Sequence, residues 1–498
     1  MKNNVISVNK IEAYIEKAIA DWNIPGGAIA LINDGEVISS RGYGVRLQGA
    51  PDLVDENSLF AIGSCSKAFT AAVIGKLIDQ GKLIWDDRVL AHLPDFQLYD
   101  PWITNQVTIR DMLCHRTGTK RCIRLLYKDR VFDSTDQLRR MEFLQPASGF
   151  REQFGYNNPH YIVAGKIAEK VSGKSWSELV RSCLFNPLDM NNSFTCYQEM
   201  RESNSKNVSS PHANLSDDFV PAELRVLDPV KSIPWPNLGQ NPAGAIISNL
   251  KDLTAWLMML IDQGNYAGKE ILSQTTFNQM VSPQMVIKPG ESEMDPIFAV
   301  GLASQFLSYG FGWYLMDFRG YKMVFHPGQL HGFVSAVAFL PELRIGGVIL
   351  LNTYHTMLHP MLGFYIFDAM LGIERDYSQE MLGMAKQWRF GAEKEIGAML
   401  SAKPKNEGMP VALEKFTGVY SSSLYGEIEI LLENENLVHR YGETDLFTGD
   451  LELWQGSTFV IKYRNKLNQP EFLTFNQDES GRIHQLIIKD VDTFDRIS

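Results

Sequence analysis

Cysteine is scarce in this chain. Cys65, Cys114, Cys122, Cys183 and Cys196 are five among 498 residues, with no C-x-x-C pair and one left over from any pairing. That argues against a disulfide framework and a thiolate zinc site and leaves free thiols. No run of about 18 apolar residues occurs, which argues against a membrane-spanning helix, although 45% of the residues are hydrophobic, as in a globular protein. Positive charge is short as well: 47 Lys and Arg against 58 Asp and Glu leave a net charge of −11. Nucleic acids and anionic membranes both need basic protein surface, so neither is an expected partner. Residues Met1 to Lys10 hold no apolar core of about seven residues and no small-residue cleavage site. A cytoplasmic protein is therefore expected. There is no internal repeat and no low-complexity tract.

Two motifs for metal or phosphate fall short. His355 and His359 share an i, i+4 spacing, yet Thr356-Met357-Leu358 between them lacks the glutamate of H-E-x-x-H, which favours structural histidines. Gly173-Lys174-Ser175 invites a P-loop reading, but Ala168 stands where its first glycine belongs. No cofactor and no metal is expected.

What the chain does have is Ser64, three residues before Lys67, in Phe60-Ala61-Ile62-Gly63-Ser64-Cys65-Ser66-Lys67-Ala68-Phe69-Thr70. Ala68, Phe69, Ala71, Ala72, Val73, Leu77 and Ile78 predict a helix from Gly63 to near Gly81. Three residues is nearly one turn, so Ser64 and Lys67 share a face, while Ser66 and Cys65 point elsewhere. Cys65 is read as a packed small residue. A serine hydroxyl needs a base in reach and donors for an oxyanion. A helix start can supply N–H groups, and its positive end should lower the Lys67 pKa. The bland alternative is a capping serine with a solvated lysine, because S-x-x-K is common by chance.

Partners elsewhere decide between these. Phe154-Gly155-Tyr156-Asn157-Asn158-Pro159 is a loop feeding a helix over 161–171, and Tyr156 with Asn158 forms Y-x-N. Tyr156 could relay a proton if a cation such as Lys67 depresses its pKa from about 10, and Asn158 would hold Lys67 and a substrate amide. Phe325-His326-Pro327-Gly328-Gln329 lies between strand-like runs at 310–317 and 333–340 and contains H-x-G. Gly328 would let a substrate approach the backbone, and the Gln329 N–H would complete an oxyanion pair with that of Ser64. Alone, Tyr156 reads as a packed aromatic and His326 as an ordinary strand histidine.

S-x-x-K, then Y-x-N, then H-x-G, in that order, resembles the serine β-lactamase and penicillin-binding superfamily, with Tyr156-Asn157-Asn158 and His326-Pro327-Gly328 in place of S-D-N and K-T-G. It is the variant of class C-like enzymes and, with histidine, of related peptidases, D-aminopeptidases and esterases. Met112-Leu113-Cys114-His115-Arg116-Thr117-Gly118, Pro187-Leu188-Asp189-Met190 and Pro242-Ala243-Gly244-Ala245-Ile246-Ile247-Ser248 are similar to further segments of that family. The likeness implies an α/β (α+β) fold over residues 8–372. An early hairpin (27–32 and 37–44, around Asn33-Asp34-Gly35) and the late strands would share one antiparallel sheet flanked by helices, with an inserted helical subdomain and Ser64 at the junction.

A helix over about 376–405 and a linker at Glu407-Gly408-Met409-Pro410 would make 373–408 a helical linker. Short alternating runs at 426–432, 437–441, 451–453, 458–463, 472–476 and 485–489 suggest that 409–498 is a small up-and-down barrel of eight or so strands. Lipocalin-like domains of this kind follow the catalytic domain in the β-lactamase-related peptidases.

The expected activity is acyl transfer through Ser64, with Lys67 and Tyr156 sharing the proton work and Asn158, His326, Gly328 and Gln329 holding substrate and oxyanion. A neutral histidine at position 326, and a proline at 327 without an N–H, argue against strong β-lactam hydrolysis. The expected substrates are small amides, esters or short peptides, handled by a peptidase or esterase. A genuine β-lactamase or D,D-peptidase, or a non-catalytic scaffold retaining the fold, stands as the alternative, and a homo-oligomer stays open.

Overall fold

The computed structural model describes residues 6–122, 134–214, 224–227, 241–292, 304–354, 356–386, 412–442 and 445–498. Its largest sheet starts from a hairpin. β1 (Gly26–Asn33) and β2 (Glu36–Gly44) are joined by Asp34-Gly35, at φ 52° and 74°. Two positive φ values make the mirror-image turn that matches strand twist, and Asp-Gly favours it. The late strands β3 (Met285–Ile287), β4 (Leu307–Tyr309), β5 (Tyr314–Phe318), β6 (Tyr321–Leu330), β7 (Phe333–Leu340) and β8 (Ile345–Leu351) complete an eight-stranded sheet, ordered β2-β1-β8-β7-β6-β5-β4-β3. Every pairing in it is antiparallel.

Side-chain alternation along the strands feeds two cores. Ala28, Ala30 and Ile32 of β1 and Val348 and Leu350 of β8 face the core shared with the inserted helices. Their neighbours Ile29, Leu31, Ile349 and Leu351 face a second core. α1 (Val8–Asp21) covers that second core with the Ile11–Ile15–Ile19 stripe, beside the Leu358–Met370 helix. Burying each isoleucine contributes up to about 3 kcal/mol. Asp368, fully buried, takes two bonds of 2.8 Å from Arg319 and one of 2.5 Å from the Tyr377 hydroxyl. This pins the start of the segment leading to the second domain onto the sheet. Residues 378–386 are helical, while the remainder of the helix expected over 376–405, the expected linker at 407–410 and His355 lie outside the described residues.

The insertion between β2 and β3 contains α2 (Ser66–Asp79), which is buried over most of its length. Phe69 stacks on Trp256 with ring centroids 4.1 Å apart, and Thr70 Oγ1 donates to Pro242 O (2.7 Å) while accepting from Trp176 Nε1 (3.0 Å). A helix surrounded in this way holds its first turn rigidly. α3 (Pro159–Ser172) follows the Y-x-N loop and ends at Gly173, at φ 73°, so the glycine of Gly173-Lys174-Ser175 is a helix cap.

The chain ends in a closed barrel of eight antiparallel strands between Gly418 and Arg496. The strand Gly426–Glu433 alternates outward Glu427 and Glu429 with inward Ile428 and Ile430. Phe416, Tyr420, Phe459, Ile461 and Phe475 help to fill the barrel core.

Candidate active site

Phe60-Ala61 pairs with Ile247-Ser248, and the chain then leaves this short ladder for α2. Gly63 makes the corner at φ 51° and opens a 3-10 turn, Gly63–Cys65, so Ser64 lies one turn before α2 rather than in the expected first turn of the α-helix itself. A Cβ at residue 63 would sit 2.9 Å from Gln329 N. The glycine thereby lets the β6 backbone come up beside Ser64. Ser66 Oγ accepts a bond from Ile246 N at 3.2 Å, which gives that serine a structural task. Cys65 is buried, donates to His326 O at 3.2 Å and has its pKa pushed up to about 12 by burial.

Lys67 is fully buried, and its Nζ lies 3.0 Å from Ser64 Oγ, 2.6 Å from Asn158 Oδ1 and 2.8 Å from Ala243 O. Burial holds its pKa well below 10.5. The expected cause, the helix end, is not the leading one: desolvation is. A neutral amine has two N–H donors and one lone pair. In that form Asn158 Oδ1 and Ala243 O, acceptors only, would take the two donors and leave the lone pair for the Ser64 hydroxyl; as the ammonium, Nζ donates to Ser64 Oγ as well.

The Tyr156 hydroxyl interacts electrostatically with the Ser64 side chain, and Lys67 Nζ stands 4.8 Å from the centre of the Tyr156 ring. The Tyr156 pKa is raised well above 10, by burial first and by Tyr314 next. This corrects the expectation that a nearby cation depresses it: burial is the leading cause and pushes the other way. In the resting site Tyr156 is a phenol.

His326 lies inside β6, and β5 pairs with β6 only as far as Phe325. Residues 326–330 therefore have β7 on one side, and their other edge has no partner strand among the described residues. Gly328 is fixed by protein packing, not only by substrate access: a Cβ there would meet Ile62 O at 1.9 Å. The Gln329 side chain is exposed while its backbone N faces Gly63. His326 Nδ1 is 2.7 Å from Pro327 O and Nε2 is 2.9 Å from Tyr309 Oη. A carbonyl only accepts, so Nδ1 carries the hydrogen and Nε2 accepts from the tyrosine. Burial brings the His326 pKa down to about 3, so the ring is neutral.

Two participants have roles that the sequence did not reveal, although Ala243 lies in the 242–248 segment the family likeness picks out. Ala243 contributes a backbone carbonyl, which no residue type announces, and Tyr309 lies 17 residues before its histidine. Among the described residues there is no group of three or more His, Cys, Asp or Glu side chains arranged to hold a metal ion. No helix among them is long and apolar enough to cross a membrane.

Fold and geometry together define a member of the serine β-lactamase and penicillin-binding superfamily. Within it, the chain belongs to the β-lactamase family, whose model (Beta-lactamase) matches residues 11–370. A second model, a domain of unknown function (DUF3471), matches residues 402–496, the range that includes the barrel. One relative, the unguisins hydrolase ungD' of Aspergillus campestris (strain IBT 28561), is 26% identical over 443 residues, covering 85% of this chain and 78% of that protein. Protein flp of Staphylococcus aureus (strain MW2) is 25% identical over 352 residues, covering 70% of this chain and 63% of its own length. The octameric penicillin-binding protein homologue from Pyrococcus abyssi superposes with a TM-score of 0.61 at 22% identity, covering 98% of this chain and 100% of its own. SurE does so with 0.56 at 18% identity, over 98% of both chains. These two likenesses concern the fold.

Proposed function

We propose that the protein is a serine hydrolase that forms an acyl-enzyme at Ser64 on small amide or ester substrates, as a β-lactamase-related peptidase, aminopeptidase or esterase. The observation that carries this is the buried Lys67 amine, whose Nζ lies 3.0 Å from Ser64 Oγ and is held by two carbonyl acceptors, Asn158 Oδ1 at 2.6 Å and Ala243 O at 2.8 Å. Lys67 takes the Ser64 proton as Oγ bonds to the substrate carbonyl carbon, and the negative charge on the carbonyl oxygen is held by the N–H groups of Ser64 and Gln329. When the intermediate collapses, Tyr156 gives its proton to the departing nitrogen or oxygen and recovers one from the Lys67 ammonium. Water then attacks the ester at Ser64, with Tyr156 and Lys67 handling the proton in reverse. Asn158 keeps Lys67 aimed and offers its amide to the substrate.

The neutral His326 supports the choice of substrate. With both ring nitrogens engaged inside the protein, it supplies neither the charge nor a spare donor for the carboxylate of a penicillin. The relatives named as unguisins hydrolases favour hydrolysis over a purely structural role.

Labelling with a serine-directed fluorophosphonate tests the reading. An adduct at Ser64 on the wild type, absent from Ser64→Ala, is expected; a folded wild type that takes no label would instead favour the scaffold. Turnover of a chromogenic cephalosporin at rates typical of β-lactamases would overturn the substrate preference.

A further inference from the structure

The Y-x-N loop does not hold itself in place. It lies against residues 115–120, and three contacts converge from one residue there, His115. Its carbonyl accepts from Gly155 N at 2.8 Å, its Nδ1 accepts from Asn157 N at 3.2 Å, and its ring lies 4.5 Å from that of Tyr156, tilted by 38°. Gly155 and Asn157 flank Tyr156 on either side, so the two hydrogen bonds bracket the tyrosine backbone while the ring contact sets its face.

His115 is fully buried and sits at φ 58°, a left-handed conformation that a histidine adopts at a cost and only when its surroundings enforce it. Here the surroundings are extensive. Arg116 N donates to Asp111 O at 3.1 Å, and the Asp111 carboxylate takes Arg116 at 2.6 Å and Arg151 at 2.9 and 2.8 Å. On the far side, Asn157 Nδ2 donates to Lys120 O at 3.0 Å and to Thr119 Oγ1 at 3.2 Å. Because Nδ1 accepts a backbone N–H, the imidazole hydrogen is on Nε2, so the tautomer is set by the loop it holds.

We propose that His115 is a positioning residue for Tyr156: its Nδ1 and carbonyl clamp the loop on both sides of the tyrosine and keep the phenol on Ser64. It touches neither substrate nor Ser64, and it acts through the tyrosine. The proposal rests on the Ser64 hydrolase reading for its kinetic consequence, but not for its geometric one.

Two variants separate the clamp from mere bulk. His115→Asn places an amide oxygen where Nδ1 stands and tolerates positive φ, whereas His115→Phe keeps a ring and removes the acceptor. With p-nitrophenyl acetate as substrate, His115→Phe is expected to lower kcat about 30-fold and His115→Asn by less than about threefold, the scale on which small misplacements of a catalytic group act. In a Tyr156→Phe background, where no hydroxyl is left to position, the same His115→Phe change is expected to cost less than about threefold. Crystal structures of the three proteins read the clamp directly, whatever the activity. Tyr156 Oη is expected within hydrogen-bond distance of Ser64 Oγ in the wild type and in His115→Asn, and displaced in His115→Phe. An unmoved tyrosine in His115→Phe would overturn the proposal, as would equal losses with and without the Tyr156 hydroxyl, or an asparagine no better than phenylalanine. A wild type without activity, by contrast, would refute the hydrolase reading and leave the crystallographic comparison to decide the clamp.

Discussion

At the scale of single residues, the proposed chemistry rests on a proton pair set opposite to its solution order. Lys67, a cation in water, is driven toward the neutral amine by burial, and Tyr156 is driven toward the phenol by the same cause. The spacing of Ser64 and Lys67 was legible because i, i+3 neighbours share a helix face in any helix. The cause of the pKa shifts was not, since burial comes from residues distant in the chain, such as Ala243, which no local pattern links to Lys67. The sign of the pH dependence follows. The base works only when neutral, so acylation should rise as pH climbs through the folded-state pKa of Lys67, below 10.5, and should show no loss from Tyr156 ionisation below about pH 10. Replacing Asn158 by Asp sets a carboxylate near Nζ, now 2.6 Å from the amide oxygen, and stabilises the ammonium. The acid limb of the acylation profile should then move up by about 1–3 pH units, as expected for an adjacent opposite charge. Stopped-flow acylation by p-nitrophenyl acetate across pH reads both effects, and a limb that stays put in Asn158→Asp would remove Lys67 as the base.

At the scale of elements, what could be read from the sequence is what depends on neighbours in the chain. The first hairpin is an instance: Asp34-Gly35 supplies two positive φ values between alternating strands, and the strands run Gly26–Asn33 and Glu36–Gly44. The strand holding His326 carries Pro327 and Gly328, two residues that strand interiors disfavour. Both are tolerated for tertiary reasons. β5 ends its pairing at Phe325, which leaves one side of Pro327 without a strand, and Ile62 O comes so near Gly328 that only glycine fits. Gly63 is the matching constraint on the serine side. In Gly63→Ala the methyl would press on Gln329 N at 2.9 Å and the backbone would keep a φ of 51° that alanine resists. Acylation should fall by about 10²–10³, as when an oxyanion donor is lost, and stability by about 1–2 kcal/mol from the left-handed φ. Urea unfolding and the acylation rate of the same preparation test this together; a normal rate in a destabilised protein would show that Gln329 N is not an oxyanion donor.

At the scale of the whole molecule, the barrel is bound to the catalytic region close to the active site. Leu144 and Cys122 are buried in the same cluster as Tyr425 and the barrel aromatics, Lys120 Nζ donates to Asp490 O at 3.1 Å, and Arg140 donates to Leu424 O at 3.2 Å. The barrel itself could be anticipated from period-two alternation, whereas this contact could not, because Leu144 and Cys122 look like ordinary core residues until their partners are known. Its position has a consequence. Lys120 O also accepts from Asn157, so the segment that touches the barrel is the one that braces the loop carrying Tyr156. Leu144→Asp places a carboxylate in this apolar contact, at a cost of several kcal/mol for an unpaired buried charge. The barrel should then unfold apart from the catalytic domain, seen as a separate, earlier calorimetric transition. Acylation of the still-folded catalytic domain should drop about tenfold, the scale expected when a catalytic group loses its support but stays in the site. If the early transition appeared while acylation stayed at the wild-type rate, the barrel would be a neighbour of the site and not a support for it; the bond from Asn157 to Lys120, bridging the two, argues for the drop.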